Sequence, residues 1–147
     1  MTTMKTILDE KGYTFWFIAP EDTVQQAVKR LNEKGVGALL VMDGERLMGI
    51  FSERDFLRLM DANGAFPLQK MVSEVMTTQV FGVKLDTTVD DCMALMTQKK
   101  IRHVPVMDGK MVVGVVSNRD VVREAISDRE ILLKGMEVLI ANHEFPT

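Results

Sequence analysis

The sequence predicts a mixed α/β (α+β) fold made of two β-α-β-β-α units packed with pseudo-twofold symmetry, with a short helix at each end of the chain. Three observations predict it. The sequence matches itself at an offset of 65 residues, Thr23 falling on Thr88. In each copy apolar residues run first at helical spacing and then as two short strand-like runs, in the same order. Between those runs each copy carries Asp-Gly, a dipeptide suited to a tight hairpin because it tolerates positive φ.

The duplication needs no gap. Val24 falls on Val89, and Val41-Met42-Asp43-Gly44 falls on Val106-Met107-Asp108-Gly109. Gly49 meets Gly114, Ser52 meets Ser117, Arg54-Asp55 meets Arg119-Asp120, and Arg58 meets Arg123. Self-similarity of this kind marks repeated supersecondary units.

Residues 1–12 form an N-terminal helix with an apolar face of Met4, Ile7 and Leu8, ended by Gly12. The first repeat spans 13–65 and the second 72–127. Each opens with a short strand, Phe15-Trp16-Phe17-Ile18 or Val80-Phe81-Gly82-Val83. Thr23 and Thr88 are the N-caps of the next helices, with Gln26 and Asp91 placed to complete capping boxes. Val24, Ala27, Val28 and Leu31, matched by Val89, Cys92, Met93 and Met96, give those helices one apolar face. Two hairpin strands and a helix beginning after Ser52 or Ser117 finish each unit. A single copy of about 50 residues buries too little surface to stand alone, so the two pack sheet against sheet and leave a cleft between them. Residues 128–147 are a C-terminal helix and tail, with Ile131, Leu132, Met136, Leu139 and Ile140 on one face. The two terminal apolar faces are expected to contribute to a homodimer.

Composition narrows the function. The 147 residues are 46% hydrophobic and 27% charged, as in a globular chain, and a net charge of -3 gives no general attraction to nucleic acid or anionic membrane. Any basic site is therefore local. The single cysteine, Cys92, cannot form an internal disulfide and occupies an apolar helix position aligned with Ala27. Met1-Thr2-Thr3-Met4-Lys5 lacks the apolar stretch of a signal peptide, and no run approaches the roughly 20 apolar residues of a membrane span. A soluble, cytoplasmic protein is the expectation. Gly35-Val36-Gly37 precedes a strand and lacks the third glycine of a dinucleotide fingerprint. Two histidines and one cysteine make no metal cluster of familiar spacing, and His143 belongs to a solvated tail.

Chemistry concentrates in the doubled segment Gly49-Ile50-Phe51-Ser52-Glu53-Arg54-Asp55 and Gly114-Val115-Val116-Ser117-Asn118-Arg119-Asp120. A strand that ends in Ser at a helix start sets free N–H groups beside a hydroxyl, a geometry suited to phosphate. Asp one turn on can accept both hydroxyls of a ribose, and Arg54 and Arg119 supply charge for phosphate. The alternative is that Ser-x-x-Asp is only a capping box. The two accounts are compatible, because the cap creates the site.

The β-α-β-β-α unit, its duplication and the Gly-h-h-Ser-x-x-Asp strand end (h apolar) resemble a stand-alone pair of cystathionine-β-synthase-type (CBS) domains, a Bateman-type module. The resemblance covers roughly residues 13–127. It implies clefts between the repeats that bind AMP, ADP, ATP, NAD or S-adenosylmethionine, and side-by-side homodimers. Ile50, Ser52, Arg54, Asp55, Val115, Ser117, Asn118, Arg119 and Asp120 then become nucleotide-binding residues. It also makes Val104-Pro105 an apolar shelf for adenine, with Arg102 and His103 near phosphate, and by position alone adds Thr14, Thr78 and Val80. The first copy has Gly37, Ala38 and Leu40 where the second has Arg102, His103 and Pro105, so the two clefts are not equivalent. The cleft served by Arg102 and His103 is expected to hold polyphosphate better. Pro105, lacking an N–H, is expected at a strand edge.

The function expected is ligand-responsive regulation through a separate, unidentified effector protein, not catalysis, with no nucleic-acid or membrane partner. An architectural homodimer with empty or vestigial clefts is the alternative.

Overall fold

The computed structural model of the chain describes residues 2–65, 67–126 and 134–138. In order, its elements are α1 (Met4–Lys11), β1 (Phe17–Ile18), α2 (Val24–Lys34), β2 (Ala38–Asp43), β3 (Arg46–Ser52), α3 (Glu53–Asn63), α4 (Val72–Val75), β4 (Val83–Lys84), α5 (Val89–Lys99), β5 (His103–Asp108), β6 (Met111–Ser117) and α6 (Asn118–Ala125). Two three-stranded sheets result, β1-β2-β3 and β4-β5-β6. In each, the first pairing is parallel and the hairpin antiparallel.

The duplication is exact in register. Ile18 pairs with Val41, and Val83 with Val106. Both hairpins turn through a glycine of positive φ, Gly44 at 60° and Gly109 at 61°. Both also shift register one residue before the last two pairs, between Val41 and Met42 and between Val106 and Met107. Such a bulge sharpens the strand twist. The first strands are shorter than expected, Phe17–Ile18 and Val83–Lys84.

Capping follows the sequence with one correction. Thr23 and Gln26 form a reciprocal box. At Thr88 the hydroxyl accepts the Asp91 N–H at 3.1 Å, but the cap runs in that one direction. The α2 helix ends on left-handed Gly35 (φ 63), whereas α5 ends on left-handed Lys100 (φ 55) at the equivalent place.

The N-terminal helix has a role that the repeats alone do not reveal. Lys70 O accepts Val24 N–H, and Thr2 O accepts Val89 N–H. Asp22 O and Pro20 O accept the N–H groups of Val72 and Ser73, while Thr87 O and Leu85 O accept those of Met4 and Lys5. Thus α1 stands to the second repeat as α4 stands to the first. Each repeat takes its leading helix from the segment before the other. The expectation that the α1 apolar face is left for a second subunit is therefore corrected. Met4, Ile7 and Leu8 are buried in the core of the second repeat with Val83, Cys92, Val104, Val106 and Val121. In the C-terminal extension Met136 is exposed; Ile131, Leu132, Leu139, Ile140 and His143 lie outside the described residues.

Val72 joins Ile18, Val24, Leu39 and Phe51 in the core of the first repeat. A third cluster, Leu40, Met42 and Val112 with Ile50, Met107 and Val115 against them, joins the two sheets. Cys92 is wholly buried, and burial pushes its thiol up to about 11, as befits a core residue. Pro105 corrects its expectation, since it is buried in the central strand of its sheet. The missing N–H is tolerated because β4 pairs only with Val106 and Met107. In the first repeat Leu40, the aligned residue, donates its N–H to Trp16 O at 3.3 Å.

Two glycines admit the leading helices. A Cβ on Gly49 would lie 2.7 Å from both Met76 Sδ and Thr77 O, and one on Gly114 would lie 2.8 Å from Leu8 Cδ2. The obstacle at Gly49 includes backbone, and that at Gly114 is a side-chain end. Gly49→Ala is therefore expected to destabilise the protein by about 1–3 kcal/mol in urea unfolding, the usual cost of overpacking, and Gly114→Ala by less.

Candidate functional site

Ser52 ends β3 and caps α3, because a strand that stops on Ser leaves the next N–H groups needing an acceptor. Ser52 Oγ accepts Asp55 N–H at 3.3 Å, and Asp55 Oδ2 accepts the Ser52 N–H at 2.8 Å and its hydroxyl at 3.0 Å. The other oxygen, Oδ1, accepts the Thr77 hydroxyl at 3.0 Å. With 8% of its surface exposed, Asp55 is the one buried charged residue among those described. Thr77 is fixed by its own backbone, which exchanges two hydrogen bonds of 2.9 Å with Ile50 on the free edge of β3.

This arrangement forms one wall of a cleft of about 680 Å³ between the repeats. The first repeat supplies Gly37, Ala38, Ile50 and residues 52–58. Across from them stand Thr77, Gln79, Val80, Phe81 and residues 99–103. Ile50 and Phe81 give apolar surface, Lys99 lies 4.9 Å over the Phe81 ring, and Arg54 donates to Lys100 O at 3.3 Å. The volume falls in the range of sites for small organic ligands, and the mixture of apolar wall and converging polar groups is their usual make-up.

Of the expected site residues, the cleft brings together Ile50, Ser52, Arg54, Asp55, Val80, Arg102 and His103. Arg102 and His103 thus face the Ser-x-x-Asp segment of the other repeat. Thr78 is not in the lining, although Thr77 and Gln79 are. Val104 and Pro105 are buried, with Val104 in the core of the second repeat. Thr77, Arg58, Lys99, Lys100 and Phe81 were not anticipated. The run Lys99-Lys100-Ile101-Arg102-His103 carries a signal in its charge, of which only Arg102 and His103 are read from the sequence as site residues.

The second Ser-x-x-Asp segment keeps the cap but meets different company. Asp120 Oδ2 accepts the Ser117 N–H at 2.9 Å, and Ser117 Oγ accepts Asp120 N–H at 3.1 Å. In place of a threonine, Lys11 at the end of α1 donates to Asp120 Oδ2 at 2.6 Å and to Val115 O at 3.1 Å. Burial works to raise the Asp120 carboxyl, but the Lys11 ammonium and the Ser117 donors outweigh it and hold it below its ordinary value. Val115, Ser117, Asn118, Arg119 and Asp120 lie outside the cleft lining; Lys11 of α1 holds Val115 and Asp120, while Asn118 donates its N–H to Arg102 O at 2.6 Å.

His103 is half-buried at the cleft, and burial lowers its pKa from 6.5 against the opposing pull of Glu53 and Asp120. Its ring and Glu53 both press on Gly37, where a Cβ would lie 3.2 Å from His103 Cε1 and 3.1 Å from Glu53 Oε1. Among the described residues, no group of His, Cys, Asp and Glu could hold a metal ion, and no helix is long and apolar enough to cross a membrane.

Comparison with known families matches residues 14–62 and 72–127 to the CBS domain. A mitochondrial CBS domain-containing protein of Arabidopsis thaliana, CBSX3, is 33% identical over 95% of this chain and 72% of its own length. The CBS domain-containing protein YhcV of Bacillus subtilis is 31% identical over 85% of this chain and 89% of its own. Among solved structures, the CBS-domain containing protein ATU1752 from Agrobacterium tumefaciens superposes with a TM-score of 0.82 at 35% identity, over 85% of this chain and 94% of that one. The CBS domain pair of protein MJ0100, in complex with 5′-methylthioadenosine and S-adenosyl-L-methionine, superposes at 0.69 with 27% identity, over 84% and 94%.

The lowered His103 pKa fixes the sign of a pH effect. Below pH 6.5 the unfolded chain takes up a proton that the folded chain resists, so the His103 contribution is whole above 6.5 and lost as pH falls toward the depressed value. Unfolding free energy measured from pH 7.5 down to 5 should fall on the acid side, and His103→Gln should flatten that fall.

Proposed function

Because the chain belongs to the CBS domain family, we propose that it is a regulatory module that binds an adenine nucleotide in the cleft between its repeats. Binding changes the relation of the repeats, and a separate effector protein reads the change. The observation that carries this reading is the meeting of Ser52, Arg54 and Asp55 from one repeat with Arg102 and His103 from the other in one cleft. A ligand spanning both walls favours one inter-repeat arrangement by the difference in its affinity for the two states. In this reading ribose sits near Asp55, adenine lies against Ile50, Val80 and Phe81, and phosphate faces the basic side chains. The MJ0100 domain pair supports it, since adenosine-containing ligands occupy a related fold.

The reading assigns no turnover. Asp55 already accepts from Ser52 and Thr77, so it serves binding and capping, not proton transfer. It also makes the sites unequal. Lys11 holds both Asp120 and the Val115 carbonyl, so the second Ser-x-x-Asp site is the weaker one, with one ligand per chain as the leading stoichiometry.

The pseudo-symmetry supplies its own control. Asp55→Asn and Asp120→Asn each weaken an equivalent capping box, the first beside the Thr77 hydroxyl and the second with loss of the Lys11 ion pair. By calorimetry, only Asp55→Asn should weaken adenine nucleotide binding, by about 1–3 kcal/mol for a charge-assisted hydrogen bond. Equal effects, or none from Asp55→Asn, would remove the site assignment.

A homodimer belongs to the same proposal. Leu57 on α3 and Val122 on α6 occupy equivalent places and remain 66% and 36% exposed. Exposed apolar positions kept in both repeats, Leu57 at the cleft and Val122 outside its lining, suit a shared, two-fold contact. Native mass spectrometry should find a dimer, and the double variant Leu57→Asp/Val122→Asp should find monomer with an unchanged far-ultraviolet spectrum.

A further inference from the structure

We infer that the cleft selects adenine nucleotides carrying two or more phosphates and discriminates against S-adenosylmethionine and against adenosine itself. The inference rests on the reading of the cleft as a nucleotide site and narrows its ligand by charge. Five basic side chains line the cleft, Arg54, Arg58, Lys99, Lys100 and Arg102, against two carboxylates, Glu53 and Asp55. That local balance of +3 sits on a chain whose net charge is -3. None of the five is in an ion pair among the described residues. One of the carboxylates, Asp55, is turned to the Ser52 cap and the Thr77 hydroxyl. Unpaired cations gathered in a cleft with apolar walls attract polyanions strongly, because the field is focused and poorly screened. S-adenosylmethionine brings a sulfonium, an ammonium and one carboxylate, a net positive ligand that this field repels.

Lys100 gives the independent sign. It is the one non-glycine residue of positive φ among those described, at 55°, whereas the equivalent cap of the first repeat is Gly35. A left-handed backbone is unfavourable for a residue with a Cβ, and glycine relieves it. The second repeat keeps a lysine in that strained place, at the rim of the cleft, beside Arg102 and His103. The first repeat has Gly35, Gly37 and Ala38 at the matching positions. The extra charge is therefore concentrated on one side of the duplication. It faces the Ser52–Asp55 segment, whose Arg54 already bonds the Lys100 carbonyl.

The test is calorimetric titration with adenosine, AMP, ATP, S-adenosylmethionine and inorganic tripolyphosphate at low and high salt. ATP is expected to bind about tenfold or more tighter than AMP, each phosphate adding charge-assisted contacts. Its affinity should fall with salt while that of adenosine holds. Tripolyphosphate should compete with ATP, and S-adenosylmethionine should be the weakest of the adenosine ligands. Lys100→Gly should raise the melting temperature of the free protein and still lower its affinity for ATP, a combination that misfolding cannot produce. Equal affinities for AMP, ATP and S-adenosylmethionine would overturn the charge inference and leave the nucleotide site standing. Binding of tripolyphosphate with no measurable binding of any adenine ligand would keep the polyanion site and overturn the nucleotide reading. Silence from every probe would overturn both.

Discussion

The cleft depends on one close approach, that of Met76 and Thr77 to the edge of β3 at Gly49. β3 ends its sheet, and an edge strand must place its free N–H and C=O groups somewhere. Ile50 gives both of its own to Thr77, and the approach is closer than any side chain at position 49 would allow. The segment after α4, at the start of the second repeat, is thereby held against the first repeat. The Thr77 hydroxyl comes to rest on Asp55, and Gln79, Val80 and Phe81 follow as the second wall. Move that segment and the wall moves with it.

The same device, used twice with different chemistry, makes the two halves unequal. At Gly114 it is the Leu8 side chain from α1 that fills the space, and the Lys11 ammonium reaches the carboxylate that corresponds to Asp55. A neutral hydroxyl on one aspartate and a cation on the other leave different potentials in the two places. Divergence at the cap of the long helix, Lys100 against Gly35, and at the strand start, Arg102 and His103 against Gly37 and Ala38, adds to the difference. The Leu40-to-Pro105 difference also matters, because it removes the donor that ties Trp16 O in the first repeat. The equivalent carbonyl, on Phe81 at the cleft, has no such partner from position 105.

Most of the scaffold was legible in the sequence, for a reason visible in its residues. Asp43-Gly44 and Asp108-Gly109 demand hairpins, Thr23, Ser52, Ser117 and Thr88 demand helix starts, and the offset of 65 residues checks each reading against its copy. What escaped was long-range. Nothing local to Met4, Ile7 and Leu8 tells which repeat they cover, because an amphipathic face specifies burial and not the partner. Thr77 escaped for the same reason, since its role arises from pairing with Ile50 at a sequence separation of 27 (77 minus 50). Pro105 was misread because a central strand is ordinarily closed to proline, and only the brevity of β4 opens it. Lys99 and Lys100 carry no local sign of a site, because a helix end attracts basic residues without any ligand, and only the cleft gathers them with Arg54 and Arg58.

On the proposed reading, capping and recognition would use the same atoms at this site, and that constrains how a ligand could act. Asp55 has its Oδ2 filled by Ser52 and its Oδ1 shared with Thr77. A ribose hydroxyl reaching Asp55 must either add to Oδ1 or displace the Thr77 hydroxyl. Displacement would loosen the side-chain tie between the segment after α4 and the first repeat while the backbone pair at Ile50 held. A ligand of that kind exchanges an internal hydrogen bond for its own, so its net effect on stability is smaller than its contacts suggest. Its effect on geometry is not reduced in the same way. The tie it replaces is one that joins the repeats, and the inter-repeat arrangement is the property that a partner could read.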